Sequence, residues 1–280
     1  MSCILTMMII KNEDFEKIAL TNIRPAFHRA KPEYNIPYAK EMWDAMKSMP
    51  GFSIAEAGDL TKAEPYYAAR HNLMDSLAKS TGAVQFLEIA AGWSTRGLTV
   101  CKRNEDAVYV ELDLPDAAKS KYQAIWRIEN GEIPSNLFIH GGNALSYEDF
   151  SNATSHFDLM KPVCVITEGL LGYLSMEEKE QITRNIQLLL AEHGGTWVTN
   201  DFKSKVKDPN EQARIENYTR KLTGRAQQDF ENDDQARRFL ARFGMNCEFH
   251  SSPELQTDRL RAAYIGFSKD ARSTDQTDRR

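Results

Sequence analysis

Residues 84–113, VQFLEIAAGWSTRGLTVCKRNEDAVYVELD, read as a strand, a tight turn, the start of a helix and a second strand that closes on an acid. Val84, Phe86, Leu87 and Ile89 make an apolar run suited to a strand buried on both faces, as in a parallel sheet. Ala90, Ala91 and Gly92 then let the backbone turn closely past a ligand. Asp113 lies 21 residues after Gly92, just past Val108, Tyr109, Val110 and Leu112, so its carboxylate emerges at the carboxyl end of the neighbouring strand. From there it reaches both hydroxyls of a ribose, and the layout is that of a parallel α/β protein cradling a nucleoside. An ordinary βαβ turn is also compatible with the segment taken alone.

The glycine pattern narrows the ligand. A dinucleotide fingerprint is G-x-G-x-x-G, and this chain has Ala90 and Thr95 where the first and third glycines would stand. A single Gly92 suits a ligand without a pyrophosphate to grip. The balance moves from a nicotinamide dinucleotide toward S-adenosylmethionine, whose methionine end needs a roomy loop and a partner for its carboxylate.

At 280 residues the chain buries one substantial core, enough for a doubly wound domain with a helical part appended. A formal net charge of −5 argues against nucleic acid as a partner. The densest basic run, Lys203, Lys205 and Lys207, is interrupted by Asp208 and Glu211 and reads as a solvated face or loop. Cys3, Cys101, Cys164 and Cys247 are far apart and contain no C-x-x-C pair, which excludes an evident metal or disulfide framework. Cys164 inside the run Val163 to Ile166 is a small buried hydrophobe, in keeping with a reducing cytoplasm. The opening MSCILTMMII is too short to span a bilayer and lacks the flanks of a secretory leader, so neither membrane insertion nor secretion is expected. Met7 and Met8 raise the reading that the first residues are an upstream start extension.

Along the chain, residues 1–65 form a helical cap broken by Pro25, Pro32, Pro37, Pro50 and Pro65, with Tyr38, Met42, Ala45, Met46 and Met49 at helical spacing. Residues 66–269 form a Rossmann-like domain. Its elements are a helix over Tyr66–Lys79, the first strand, the strand ending at Asp113, a helix over Ala117–Ile128, and strands over Asn136–His140, Val163–Thr167 and Thr196–Asn200. Ser175 and Glu178 make an S-x-x-E capping box for a helix whose Ile182, Ile186, Leu189 and Leu190 face the core, and Gly194 and Gly195 end it. Residues 202–239 are charged, helical in pattern and too long for a simple connection, which marks a lid insertion. Met245–His250 and Leu260–Phe267 form a closing hairpin that adds an antiparallel strand at one edge, and the tail over 270–280 reads as disordered. The expected fold is a doubly wound α/β sheet of seven strands, mostly parallel.

Ligands of such sheets bind outside the carboxyl ends of the strands, so the residues just after each strand form the site. Gly92 follows the first strand, Asp113 and Leu114 the second, Asn143, Ala144 and Leu145 the third, and Glu168 with Tyr173 the fourth. With these in view the chain resembles the leucine carboxyl methyltransferase family, which includes bacterial O-methyltransferases of polyketide biosynthesis. Arg70 with Leu73, Met74 and Asp75 is similar to the family's arginine helix; FLEIAAG, VELDLP followed by Lys119 and Lys121, and EGLLGYLS at 168–175 follow in order.

The resemblance runs from about Arg70 to Asp201 and implies a cofactor, S-adenosylmethionine, with Arg70, Glu88, Ala90, Gly92, Asp113, Leu114, Asn143, Ala144, Leu145, Glu168 and Tyr173 around it. It implies Arg70 at the methionine carboxylate, Glu168 at the ammonium end, Asp113 at the ribose and Asn143 to Leu145 at adenine. The chain departs from the family at Asn143, where aspartate is usual, and at Ala90, where glycine is usual. Asn keeps a carbonyl acceptor without the charge. Without the family match, Arg70 and Asp75 read equally as helix surface charges, Asp113 as a turn or cap residue, and Tyr173 as packing.

The implied reaction is methyl transfer to an oxygen of a small metabolite or polyketide-like acceptor. A carboxylate acceptor is already ionised at neutral pH and needs no general base, whereas a hydroxyl does. None of His28, His71, His140, His156, His193 and His250 sits in a catalytic pattern, and no catalytic residue is assigned. Arg24, His28 and Arg29 in the cap read either as solvated surface or as a site that steers an anionic acceptor. Alternatives are a protein C-terminal carboxylate as acceptor, a nicotinamide oxidoreductase, which should carry the full glycine fingerprint, and a non-catalytic cofactor-binding protein.

Overall fold

A computed structural model of the chain describes residues 22–49, 52, 60, 65–202, 209–224, 228–252 and 261–267. The expectations for the first residues and for the tail over 270–280 lie outside the described residues.

The central sheet is built from seven strands: β1 (Gln85–Ile89), β2 (Val108–Asp113), β3 (Leu137–Gly141), β4 (Val163–Thr167), β5 (Gly195–Thr199), β6 (Met245–Ser251) and β7 (Arg261–Phe267). Their order is β3-β2-β1-β4-β5-β7-β6. The first five run parallel, with Phe86 opposite both Tyr109 and Cys164, and β7 pairs antiparallel with β5 and β6. Every residue of β1 and β4 is buried, as in a sheet covered on both faces, and the two polar side chains of β1, Gln85 and Glu88, are hydrogen-bonded. The closing hairpin completes the expected seven strands: β7 is the antiparallel strand, beside β5, and β6 lies at the edge.

The helices are α1 (Ile23–Arg29), α2 (Ala39–Lys47), α3 (Tyr66–Ser80), α4 (Arg96–Arg103), α5 (Pro115–Ile128), α6 (Tyr147–Thr154), α7 (Met176–His193), α8 (Pro209–Thr223) and α9 (Asp233–Ala241). One core cluster joins Leu73, Met74, Leu98 and Ile125 to Phe86 and Ile166; the other joins Ile182, Ile186 and Leu190 to Leu87, Val165 and Trp197. On α2, Met42 is buried against the sheet-side cluster and Met46 against Ile23, Ala26 and Trp43. The capping box of α7 forms in full: Glu178 N–H donates to Ser175 Oγ at 3.2 Å, and Ser175 N–H donates to Glu178 Oε2 at 2.8 Å. Gly194 alone caps that helix, since Gly195 already begins β5. Helix α6, which the sequence reading passed over, is started by Ser146 accepting from the Asp149 N–H.

Burial pushes the Cys101 and Cys164 thiols up to about 12, as expected of small core hydrophobes. Among the described residues no helix is long and apolar enough to cross a membrane, and no three His, Cys, Asp or Glu side chains gather as metal ligands.

Candidate active site

The strand order reverses between β1 and β4, and the carboxyl ends of β1 to β4 open there into a cleft. Ala90, Asp113, Leu114, Asn143, Ala144, Leu145, Glu168 and Tyr173 line it, together with Asn22 from the cap. Three sequence-predicted residues, Arg70, Glu88 and Gly92, stand behind the wall rather than in it.

Gly92 works by orienting Asp113. It sits at φ +48°, and its N–H donates to Asp113 Oδ2 at 2.7 Å while the Leu114 N–H donates to Oδ1 at 2.8 Å. Both carboxylate oxygens are thus aimed by backbone donors and keep lone pairs for further donors. Burial raises the Asp113 carboxyl, and these two hydrogen bonds oppose that rise. A Cβ on Gly92 would lie 2.7 Å from Asn22 Nδ2, so the glycine also makes room for the cap. Ala90 takes the left-handed conformation at φ +54°, the conformation for which glycine is preferred.

Glu168 begins the loop after β4 in a nearly dry setting. Arg70 Nε donates to its Oε1 at 2.8 Å and Arg96 Nη2 to its Oε2 at 2.9 Å. Although burial pushes the other way, Arg70 and then Arg96 hold this carboxyl well below the usual carboxylate range. The loop itself is pinned by Asp201, which accepts from the Gly169 N–H at 2.8 Å and the Leu170 N–H at 3.1 Å. Arg70 is 8% exposed, which removes the surface-charge reading, and its guanidinium lies over the Tyr66 and Tyr67 rings. Its two terminal nitrogens sit 3.5 and 3.6 Å from where a Gly169 Cβ would be, beside the lining of the cleft.

The residue that organises this corner is Arg96, which the sequence reading did not single out. It is 3% exposed and donates to Asp75, Glu88 and Glu168 and to His71 Nδ1 at 3.1 Å. Glu88, expected at the cofactor, is consumed here: besides Arg96 it accepts from the Tyr109 hydroxyl at 2.8 Å and from Ser94 Oγ at 3.3 Å. Burial, aided by the neighbouring arginines against Asp75, depresses His71 to about 4, so the ring is neutral and accepts from Arg96. A cation in the first turn of a helix opposes the helix dipole, and that anomaly in STRG was the available signal.

At Asn143, the side-chain carbonyl already accepts from the Leu145 N–H at 3.0 Å. The sequence reading kept that carbonyl as an acceptor for adenine. That use within the loop takes one of the oxygen's two lone pairs, and the amide NH₂ has no partner among the described residues. In the cap, His28 is fully buried and stacks on Tyr67 at 5.5 Å, and Arg29 is 6% exposed, so these two are not solvated surface. Arg24 is half-buried.

The family model described as leucine carboxyl methyltransferase matches residues 29–187, more than half of the chain. The chain belongs to this family of S-adenosylmethionine-dependent methyltransferases. No curated relative matches it. Among solved structures it is similar to a DUF574 family protein from Streptomyces avermitilis MA-4680, at a TM-score of 0.57 and 14% identity over 88% of this chain and 97% of that one. It is also similar to an O-methyltransferase family protein from Burkholderia thailandensis, at a TM-score of 0.54 and 14% identity over 77% of this chain, and it spans only 60% of that protein's length. PigF, solved with SAH, aligns at a TM-score of 0.50 and 14% identity, over 70% of this chain and 54% of PigF. At these identities the likeness is one of fold.

Proposed function

We propose that the chain transfers a methyl group from S-adenosylmethionine to a carboxylate oxygen of a small-molecule acceptor. The observation that carries this reading is the cleft itself. It has Asp113 aimed by two backbone amides at one wall and the ionised Glu168, held between two arginines, at another.

The residues fit the cofactor's parts. Leu114, Ala144 and Leu145 offer an apolar seat for a purine, with the Asn143 amide at its edge. Asp113 accepts ribose hydroxyls, Glu168 accepts from an ammonium group, and the Arg70 terminal nitrogens near Gly169 meet a carboxylate. When bound, S-adenosylmethionine supplies an electrophilic methyl group, whose S–C bonding pair returns to sulfur as an acceptor oxygen bonds the carbon.

The protein's own contribution is alignment and exclusion of water. No histidine lines the cleft among the described residues, and Glu168 is too acidic to take a proton, so the site favours an acceptor that arrives ionised. The described cap helices α1 and α2 are assigned to the acceptor side, and helix α8, within the stretch read as a lid, packs beside the turn Leu171–Tyr173. The test has two parts. Calorimetry with S-adenosylhomocysteine should show binding that falls about tenfold or more in Asp113→Ala. Labelled methyl transfer into a panel of carboxylic acids should give a base-labile product that releases methanol. A product stable to base would replace the carboxylate with a hydroxyl.

A further inference from the structure

Arg29 closes helix α1 with 6% of its surface exposed, yet among the described residues no hydrogen bond or ion pair holds its guanidinium. Its electrostatic neighbours are Glu168, Arg70, Arg96 and Glu88. Both carboxylates in that set are already bonded, Glu168 to Arg70 and Arg96, and Glu88 to Arg96, Ser94 and Tyr109. Arginine does not lose its proton in a protein, so burial leaves a charged group seeking an anion.

We propose that Arg29 is the seat for the carboxylate of the methyl acceptor, presented from the cap; this rests on the function proposed above. Two observations assign it to the acceptor rather than to the cofactor. The Arg70 terminal nitrogens lie beside the cleft-lining Gly169 and are given above to the cofactor's amino-acid end, which leaves Arg29, within electrostatic reach of the cleft-lining Glu168, for a second anion. Flat rings also stand close by: Arg70, one of the charges nearest Arg29, has its guanidinium over the Tyr66 and Tyr67 rings. The class of ligand is therefore an aromatic or otherwise planar carboxylic acid, held by the two-donor face of the guanidinium.

The probe is benzoate, with uncharged benzamide as its control, titrated calorimetrically into protein saturated with S-adenosylhomocysteine. Saturable benzoate binding is expected in the wild type and in Arg29→Lys. It should weaken about tenfold in Arg29→Met, with benzamide silent and S-adenosylhomocysteine affinity within about threefold of wild type. Equal benzoate affinity in wild type and Arg29→Met overturns the assignment, as does no benzoate binding at all. Loss of S-adenosylhomocysteine binding in Arg29→Met gives the carboxylate to the cofactor and overturns it too. Should Arg29→Met fail to fold, phenylglyoxal modification of Arg29 in the wild type decides: benzoate should slow it and benzamide should not, and no protection by benzoate overturns the idea. Failure of the wild type to bind S-adenosylhomocysteine would instead strike the cofactor reading.

Discussion

Arg96 Nη2 lies 2.9 Å from Glu168 Oε2, tying the first turn of α4 to the end of β4 across 72 residues of sequence. The same guanidinium holds Asp75 on α3 and Glu88 on β1. Four segments that meet at the cleft are thus fixed to one side chain, and the loop carrying Glu168 keeps its place before any ligand arrives.

Replacing Arg96 by methionine leaves Glu88, Asp75 and Glu168 buried without their shared cation. Breaking a buried pair in this way costs about 3–5 kcal/mol. Urea unfolding of Arg96→Met should show a loss of that size, and a loss below about 1 kcal/mol would contradict the central role given to this residue.

Much of the frame was legible before the structure. The strands β1 and β4 are rich in apolar residues because both faces of the sheet are covered, and most of the residues named after the strands fall at the cleft because topology places them there. Arg96 was not legible, since nothing local couples it to Glu168. Glu88 was misplaced for a related reason. The resemblance put this carboxylate at the cofactor, whereas its strand position turns it toward Tyr109 and Arg96. Helix α6 escaped because it is short and buries only Phe150 and Ala153, too few positions to show a period.

Ala90 at φ +54° carries the strain of a left-handed non-glycine residue. Ala90→Gly should stabilise the protein by up to about 1 kcal/mol, the left-handed penalty less the glycine's greater chain entropy. Thermal unfolding checks it, and a lower Tm in the variant would show that the methyl group packs favourably enough to outweigh the strain.

His71 makes a pH-dependent contribution. Its folded pKa of about 4 lies below its ordinary 6.5, so the unfolded chain binds the proton more readily. The stability tied to the neutral ring is present above about pH 6.5 and is lost as pH falls toward 4. The stability advantage of the wild type over His71→Gln should narrow across that window, and an unchanged difference between pH 7 and 4.5 would show that the ring is not held neutral.

Asn143 has an amide NH₂ to offer beside a carbonyl that Leu145 N–H holds in place. A donor at the purine edge accepts a base with a carbonyl in place of the exocyclic amine. Asn143→Asp should therefore bind S-adenosylhomocysteine at least as well as the wild type, while losing about tenfold or more in affinity for S-inosylhomocysteine. Parallel calorimetric titrations give both numbers, and equal discrimination by the two proteins would remove Asn143 from the base.

The position of β7 between β5 and β6 has a bearing on synthesis. While a ribosome is still making the chain, the five parallel strands can assemble, but β5 has no partner on its outer side until residues 261–267 emerge. Thr196 to Thr199, with Trp197 and Val198 at the centre, then form an open, apolar hydrogen-bonding edge of the kind on which nascent chains pair with one another. The last strand to be translated is the one that seals it, so premature termination after α9 yields aggregation rather than a smaller soluble enzyme.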